Sequence, residues 1–268
     1  MSKCSMLLGA ILVAISASLA GAQAFRTLPD DEWCDKRDFR RTTHCEVREA
    51  TLPAGRDVIA VDGGGNGGIS VQGWDRDEIL VRAKVSVHGL GPDEAAELAS
   101  QIEIETDGEI QADGPRARGG NTSWVVSYEI KVPHRSALSL RATNGGIAIA
   151  DVQGDIEFAS TNGGVRLSRL AGDVAGETTN GGVSIELAGS TWNGEGLDVE
   201  TTNGGVDLAI PEDYSAQLVV GTVNGGVRSD FGATKAQLRA RSITTKLGDG
   251  GPLLRVRTTN GGVSVQAT

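Results

Sequence analysis

The stretch ATNGGIAIADVQGDIEFASTNGGVRLS, residues 142–168, decides the fold. It carries two Asn-Gly-Gly triplets, at Asn144 and Asn162, each followed by an alternating aliphatic pair, Ile147/Ile149 and Val165/Leu167. Ahead of the triplets, Leu138/Leu140 and Ile156/Phe158 alternate in the same way. Period-two alternation marks strands with one buried face. Further out, the triplet recurs at Asn66, Asn180, Asn203, Asn224 and Asn260, so successive spacings are 78, 18, 18, 23, 21 and 36. With each Asn as position zero, −6 and −4 are mostly Leu or β-branched, −2 is small or hydroxylic, and +3 and +5 are aliphatic except at Ser229, +5 of the Asn224 repeat. The same side-chain class at the same offset predicts turns of a coil stacked in register, a β-solenoid. An antiparallel hairpin meander, the usual partner of Asn-Gly, has no reason to keep an 18-residue period in which Gly154 and Gly172 are also equivalent.

This reading carries several expectations. Asn-Gly should supply the corners through its tolerance of positive φ. The final gap of 36 is twice 18 and suggests a rung that has lost its marker. Nine or ten rungs at ~4.8 Å would make a rod of roughly 45 Å. Residues 92–101 read as the one helix, opened by Pro92 and Asp93, which could lid a solenoid edge. Residues 107–122 read as a loop, with strands near 79–87, 102–105 and 124–132.

Composition agrees. The 268 residues carry a formal charge of −10, which argues against a nucleic-acid partner. Aromatics are 4%, so the core is aliphatic. Lys3, the apolar run Leu7–Leu19 and Ala22-Gln23-Ala24 form an export signal too short to span a bilayer. No later segment is apolar for long enough to cross one. Removal after Ala24 would leave Cys34 and Cys45, an even pair that predicts a disulfide in an oxidising compartment. The chain then divides into a leader (1–24), a stapled segment (25–54) and the repeat domain (55–268).

Signals for chemistry are sparse. His44, His88 and His134 sit in no catalytic or metal-binding spacing. GGGNGG at 63–68 lacks the Lys-Ser/Thr of a phosphate loop, and Asp62 does not recur every nine residues as calcium rolls require. No cofactor or metal is expected. Outward acids (Glu157, Glu177, Glu186, Asp198, Glu200, Asp207, with Arg166 among them) read as a solvated wall. Two of them facing one groove would instead suit a polysaccharide lyase or hydrolase. The Thr at −1 of most repeats forms an outward rank, whereas −2 should point inward. Trp192 and Tyr214, in the corner loops of the two longer rungs, form a candidate binding patch beside Glu195, Glu212 and Asp213. Trp33, Trp74 and Trp124 read as packing or capping.

The TNGGV/I repeats, NGGISVQGWDRDEILV (66–81), SWVVSYEIKVP (123–133) and LGDGGPLLRVRTTNGGV (247–263) resemble the bacterial putative-adhesin β-strand-repeat family, a domain of unknown function similar to head-GIN domains. The resemblance covers roughly residues 55–268. It implies an all-β, single-stranded, right-handed parallel β-helix in an exported envelope protein, and it carries no catalytic residues. The expected function is a non-catalytic binding module, periplasmic or on the surface, for an envelope protein or glycan. End-to-end self-association of the rod is a further expectation.

Overall fold

The structure, a computed structural model, describes residues 25–28, 31–34, 42–55, 57–116, 122–232 and 234–268. The leader with its Ala22-Gln23-Ala24 site, and the charged run 35–41, lie outside the described residues. The strands are β1 (Arg26–Leu28), β2 (Thr42–Pro53), β3 (Ile59–Asp62), β4 (Ile69–Trp74), β5 (Glu78–His88), β6 (Glu103–Glu105), β7 (Glu109–Asp113), β8 (Ser123–Pro133), β9 (Leu138–Ala142), β10 (Ile147–Ala150) and β11 (Gln153–Ser160). They continue with β12 (Val165–Ser168), β13 (Ala171–Asn180), β14 (Val183–Glu186), β15 (Gly196–Asn203), β16 (Val206–Ile210), β17 (Ala216–Asn224), β18 (Val227–Ser229), β19 (Ser242–Leu247), β20 (Leu253–Asn260) and β21 (Val263–Ala267). Among the described residues two α-helices interrupt them, α1 (Pro92–Ser100) and α2 (Lys235–Arg239).

Seven rungs stack, each giving one strand to each of two sheets. The first sheet runs β1-β2-β5-β8-β4-β10-β12-β14-β16-β21-β18; the second runs β19-β17-β20-β15-β13-β11-β9-β3-β7-β6. Rung-to-rung pairs are parallel, with Ile147 opposite Val165 and Gly154 opposite Gly172. The alternating residues Ile147, Ile149, Ile156, Phe158, Val165 and Leu167 are all buried between the sheets. Neighbouring rungs also share volume: a Cβ on Gly176 would lie 2.6 Å from the Phe158 ring, so one large and one absent side chain fill two adjacent −4 sites.

The triplets make an amide ladder. Each ladder Asn donates from Nδ2 to the Oδ1 of its neighbour: Asn144 to Asn66 (3.1 Å), Asn162 to Asn144, Asn180 to Asn162, Asn203 to Asn180, Asn260 to Asn203 (each 2.8 Å) and Asn224 to Asn260 (2.9 Å). Beneath it, hydroxyls at −2 donate to the first-glycine carbonyl of a neighbouring rung, as Thr178 does to Gly163 (2.9 Å) and Thr258 to Gly204 (2.8 Å). That explains the small hydroxylic residue at −2.

Four expectations are corrected. The triplet glycines are not in the left-handed region. The first glycine is needed because rungs touch there: a Cβ on Gly145, Gly163, Gly181, Gly204 or Gly261 would lie 2.0 Å from the preceding rung's carbonyl oxygen. Residues 224–260 hide no lost rung; they hold α2 and β19, which pairs antiparallel with β17. The Asn260 rung instead inserts between the Asn203 and Asn224 rungs, β20 pairing parallel with both β15 and β17. The rungs among the described residues number seven rather than nine or ten, because β1, β2, β5 and β8 at one end supply the rest of the first sheet. Within the expected loop 107–122, Glu109–Asp113 is strand β7, parallel to β3. Ile110 is its one fully buried residue, too little alternation to read.

The 78-residue gap builds a cap. β8 joins β4 in parallel, and β5 and then β2 continue the first sheet antiparallel. Helix α1 packs on β5 and β2 with Ala95 and Ala99 buried. Arg48, from β2, donates to the carbonyl of Ala99 (2.6 Å) and to that of Ile102, placing a cation at the helix C-terminus.

Candidate functional site: a furrow on the first sheet

Position +4 of each rung points outward from the first sheet. In register these residues are Ser70, Ala148, Arg166, Ser184, Asp207, Ser264 and Arg228, with Glu129 of β8 beside Ser70; the first five floor the furrow. The rung strands between them carry small side chains or glycine, leaving a shallow furrow of about 610 Å³ that runs across the strands, along the rod. From β8 to β16 it crosses five interstrand spacings, about 24 Å.

Trp33 lines one end. The disulfide Cys34–Cys45, expected from the sequence, ties its neighbour to β2, with the Cα atoms 5.8 Å apart. Asp31 accepts the Trp33 backbone N–H at 3.0 Å and a bond from Arg82 at 2.6 Å. The Arg82 and Lys84 cations lie 5.6 and 5.2 Å from the indole centroid, within cation–π range. Burial raises the Asp31 pKa, but the Trp33 N–H and the Arg82 guanidinium outweigh it and hold the carboxyl below its ordinary value. Arg82 also pairs with Glu129 and Glu49, so one guanidinium answers three carboxylates and this end carries no surplus of positive charge. Further along, Arg166 and Asp207 are exposed and have no hydrogen-bond or ion-pair partner among the described residues.

The expected patch at Trp192 and Tyr214 is overturned. Trp192 is 3% exposed and Tyr214 2%, both within the core. The indole N–H of Trp192 donates to the Gly172 carbonyl at 2.9 Å, and burial pushes the Tyr214 phenol up to about 12. In a thin aliphatic rod a corner ring gains more by covering the core than by facing water, so both are lids. Trp74 and Trp124 are likewise spent, donating to the Glu78 (2.9 Å) and Pro115 (2.8 Å) carbonyls. Trp33 is the ring that sequence reasoning missed as a site residue. Its one signal was adjacency to a cross-linked cysteine; where that anchor lay depended on β2 pairing with β5.

Of the expected acids Asp207 lines the furrow and the others do not. Glu177 and Glu200 stand side by side on the outer face of the second sheet, Glu200 paired with Arg257 (3.1 Å) and Asp198 with Arg255 (2.8 Å). Glu157, Glu177, Asp198 and Glu200 line one shallow groove of about 420 Å³ on that face, two of the four already spent on arginines. His44 meets Glu46 at 3.1 Å, and His134 meets the Asp151 carbonyl at 2.7 Å and Asp75 at 3.3 Å. Asp62 accepts the Gly64 N–H at 2.7 Å, a local turn bond. No three His, Cys, Asp or Glu side chains form a metal-binding group among the described residues, and no helix there is long and apolar enough to cross a membrane.

Stacked parallel rungs, an aliphatic interior and a furrowed outer face define a β-solenoid. The Toastrack DUF4097 model matches residues 129–266, more than half of the sequence, and the chain belongs to that family. No curated protein matches it. Among solved structures it is similar to a putative cell adhesion protein from Clostridium sporogenes, with 13% identity over 83% of this chain and 100% of that one, TM-score 0.47. It is also similar to a putative adhesin from Bacteroides fragilis (10% identity, 82% and 97% covered, TM-score 0.41). A third is a putative lipid binding protein from Parabacteroides distasonis (11% identity, 83% and 97% covered, TM-score 0.37).

Proposed function

We propose that the protein is an exported, non-catalytic binding module of the cell envelope or surface, its mature chain starting at Phe25. The leader-like residues 1–24 and the disulfide support export. Within that chain, residues 25–54 serve as the stapled segment and 55–268 as the repeat domain. The coil is read as right-handed because crossovers between parallel strands of one sheet nearly always are. The observation that carries the binding reading is the furrow ended by Trp33: a rigid face on which a disulfide, two cations and a carboxylate hold one aromatic ring. The partner is an envelope protein or glycan. The free edge of β18 offers a place for end-to-end association, which sedimentation would read.

The test is capture from fractionated envelope on immobilised residues 25–268, scoring bound protein and glycan separately. A saturable partner, lost on Ala148→Trp with the melting temperature kept, is expected. If nothing is retained and the glycan fraction emerges shortened, the binding reading fails and the enzyme reading on Glu177 and Glu200 replaces it.

A further inference from the structure

We propose that the furrow holds an extended, neutral, β-1,4-linked glycan strand lying along the rod, with one sugar against Trp33; this rests on the binding-module reading above. The first ground is direction. The furrow crosses the strands, and β4, β10, β12, β14 and β16 each have a strand on both sides. Their backbone N–H and C=O groups are spent on the ladders, so a peptide cannot add here as another strand; that mode needs a sheet edge. What the floor does offer is side-chain chemistry: hydroxyls at Ser70, Ser127 and Ser184, and a guanidinium at Arg166 and a carboxylate at Asp207 that have no partner among the described residues. Hydroxyls both donate and accept, a guanidinium presents five donors and a carboxylate only accepts. A polyhydroxylated chain can use all three kinds at once.

Charge narrows the class. Arg82 is shared among Asp31, Glu49 and Glu129, and Arg166 and Asp207 offset one another two strands apart. A chain carrying −10 repels a polyanion, and among the described residues the furrow has one free cation, Arg166, to set against it. A neutral strand meets neither penalty. The ring at the end is fixed before binding, so little side-chain ordering is left to oppose the ligand. A straight furrow of about 24 Å suits the straight ribbon that β-1,4 linkage produces.

The experiment titrates residues 25–268 with N-acetylglucosamine and cello-oligosaccharide series, each from disaccharide to hexasaccharide, by calorimetry and tryptophan fluorescence. A hyaluronan hexasaccharide is the anionic control. Saturable binding of at least one neutral series is expected, tightening with length until the furrow is filled. Ala148→Trp, which fills the floor, and Arg166→Ala should each weaken it at least tenfold with unchanged melting temperature. Absence of binding by both neutral series at millimolar concentration, binding indifferent to Ala148→Trp, or tighter binding of the anionic control would each overturn the inference. Envelope capture separates the two levels. A partner retained by the wild type and lost in Ala148→Trp, with no oligosaccharide bound, sinks the glycan inference and leaves the binding module standing. No retention and no oligosaccharide binding sinks both.

Discussion

A methyl group on Gly163 would lie 2.0 Å from the carbonyl oxygen of Gly145, with the Gly145 carbonyl carbon and Gly146 nitrogen close behind. No side-chain rotation relieves that contact, because every atom involved is backbone. On Gly164, the next residue, the same methyl would meet the Gly182 oxygen at 3.5 Å, an ordinary contact. Gly163→Ala is therefore expected to cost on the order of 3 kcal/mol and to lower the melting temperature by roughly 6–12 °C for a chain of this size. Gly164→Ala should lie within about 0.5 kcal/mol of wild type. Thermal unfolding followed by circular dichroism separates the two, and equal effects would contradict rung contact as the reason for the first glycine. Thr178→Val keeps the shape but leaves the Gly163 carbonyl without its hydroxyl, at a cost of about 1–3 kcal/mol. These requirements lie between residues some 18 positions apart, so local turn chemistry pointed to the right residue for the wrong reason.

At the scale of elements, the order of the last rungs is written in side chains that face outward. Arg255 and Arg257 of β20 meet Asp198 and Glu200 of β15 on one side and Val219 and Gly221 of β17 on the other. A sequential stack would set Asp198 against Val219 and leave both arginines away from their acids. Each exposed pair contributes only about 0–1 kcal/mol, but both favour the same order. Cysteines at Thr202 and Thr259 should therefore cross-link on mild oxidation, since parallel neighbours stand ~4.8 Å apart, within disulfide reach. Cysteines at Thr202 and Val223 should not, being two strands apart; the reverse result would restore the sequential order. Period-two alternation made the rungs legible, since Ile147, Val165 and their equivalents announce one buried face. It could not reveal the intercalated rung, because the repeats are nearly interchangeable and only Arg255 and Arg257 distinguish their neighbours. Of the furrow's floor, Arg166 and Asp207 were read only as outward charges on a solvated wall, and its end wall was not read at all. Trp33 reaches it through a cysteine link and an antiparallel pairing that leave no periodic mark.

Across the whole molecule, two kinds of glue hold two regions. The rung stack relies on amides, hydroxyls, backbone ladders and aliphatic burial, and the ladder groups do not titrate. The cap and the Trp33 hook rely on ions. Burial raises the pKa of Glu46 as it does that of Asp31, yet Arg48 and His44 outweigh it and hold the carboxyl low. Asp151 is lowered chiefly by its bonds from Arg169, helped by Gln72, at a corner between stacked rungs. A carboxyl whose pKa is lower folded than unfolded stabilises fully above its ordinary value, 3.8 for Asp31 and 4.5 for Glu46, and loses that contribution as pH falls through the folded value. Acid should therefore free the hook below about pH 4 while the stack keeps its far-ultraviolet dichroism. The difference in fluorescence between wild type and Trp33→Phe reports the ring. The rate at which a phosphine reduces Cys34–Cys45 reports the staple. Both should change together below pH 4, and oligosaccharide binding should weaken with them because the furrow loses its wall before its floor. Loss of the dichroism at the same pH as the hook would show instead that cap and rungs form one cooperative unit, and that the ionic end supports the neutral stack.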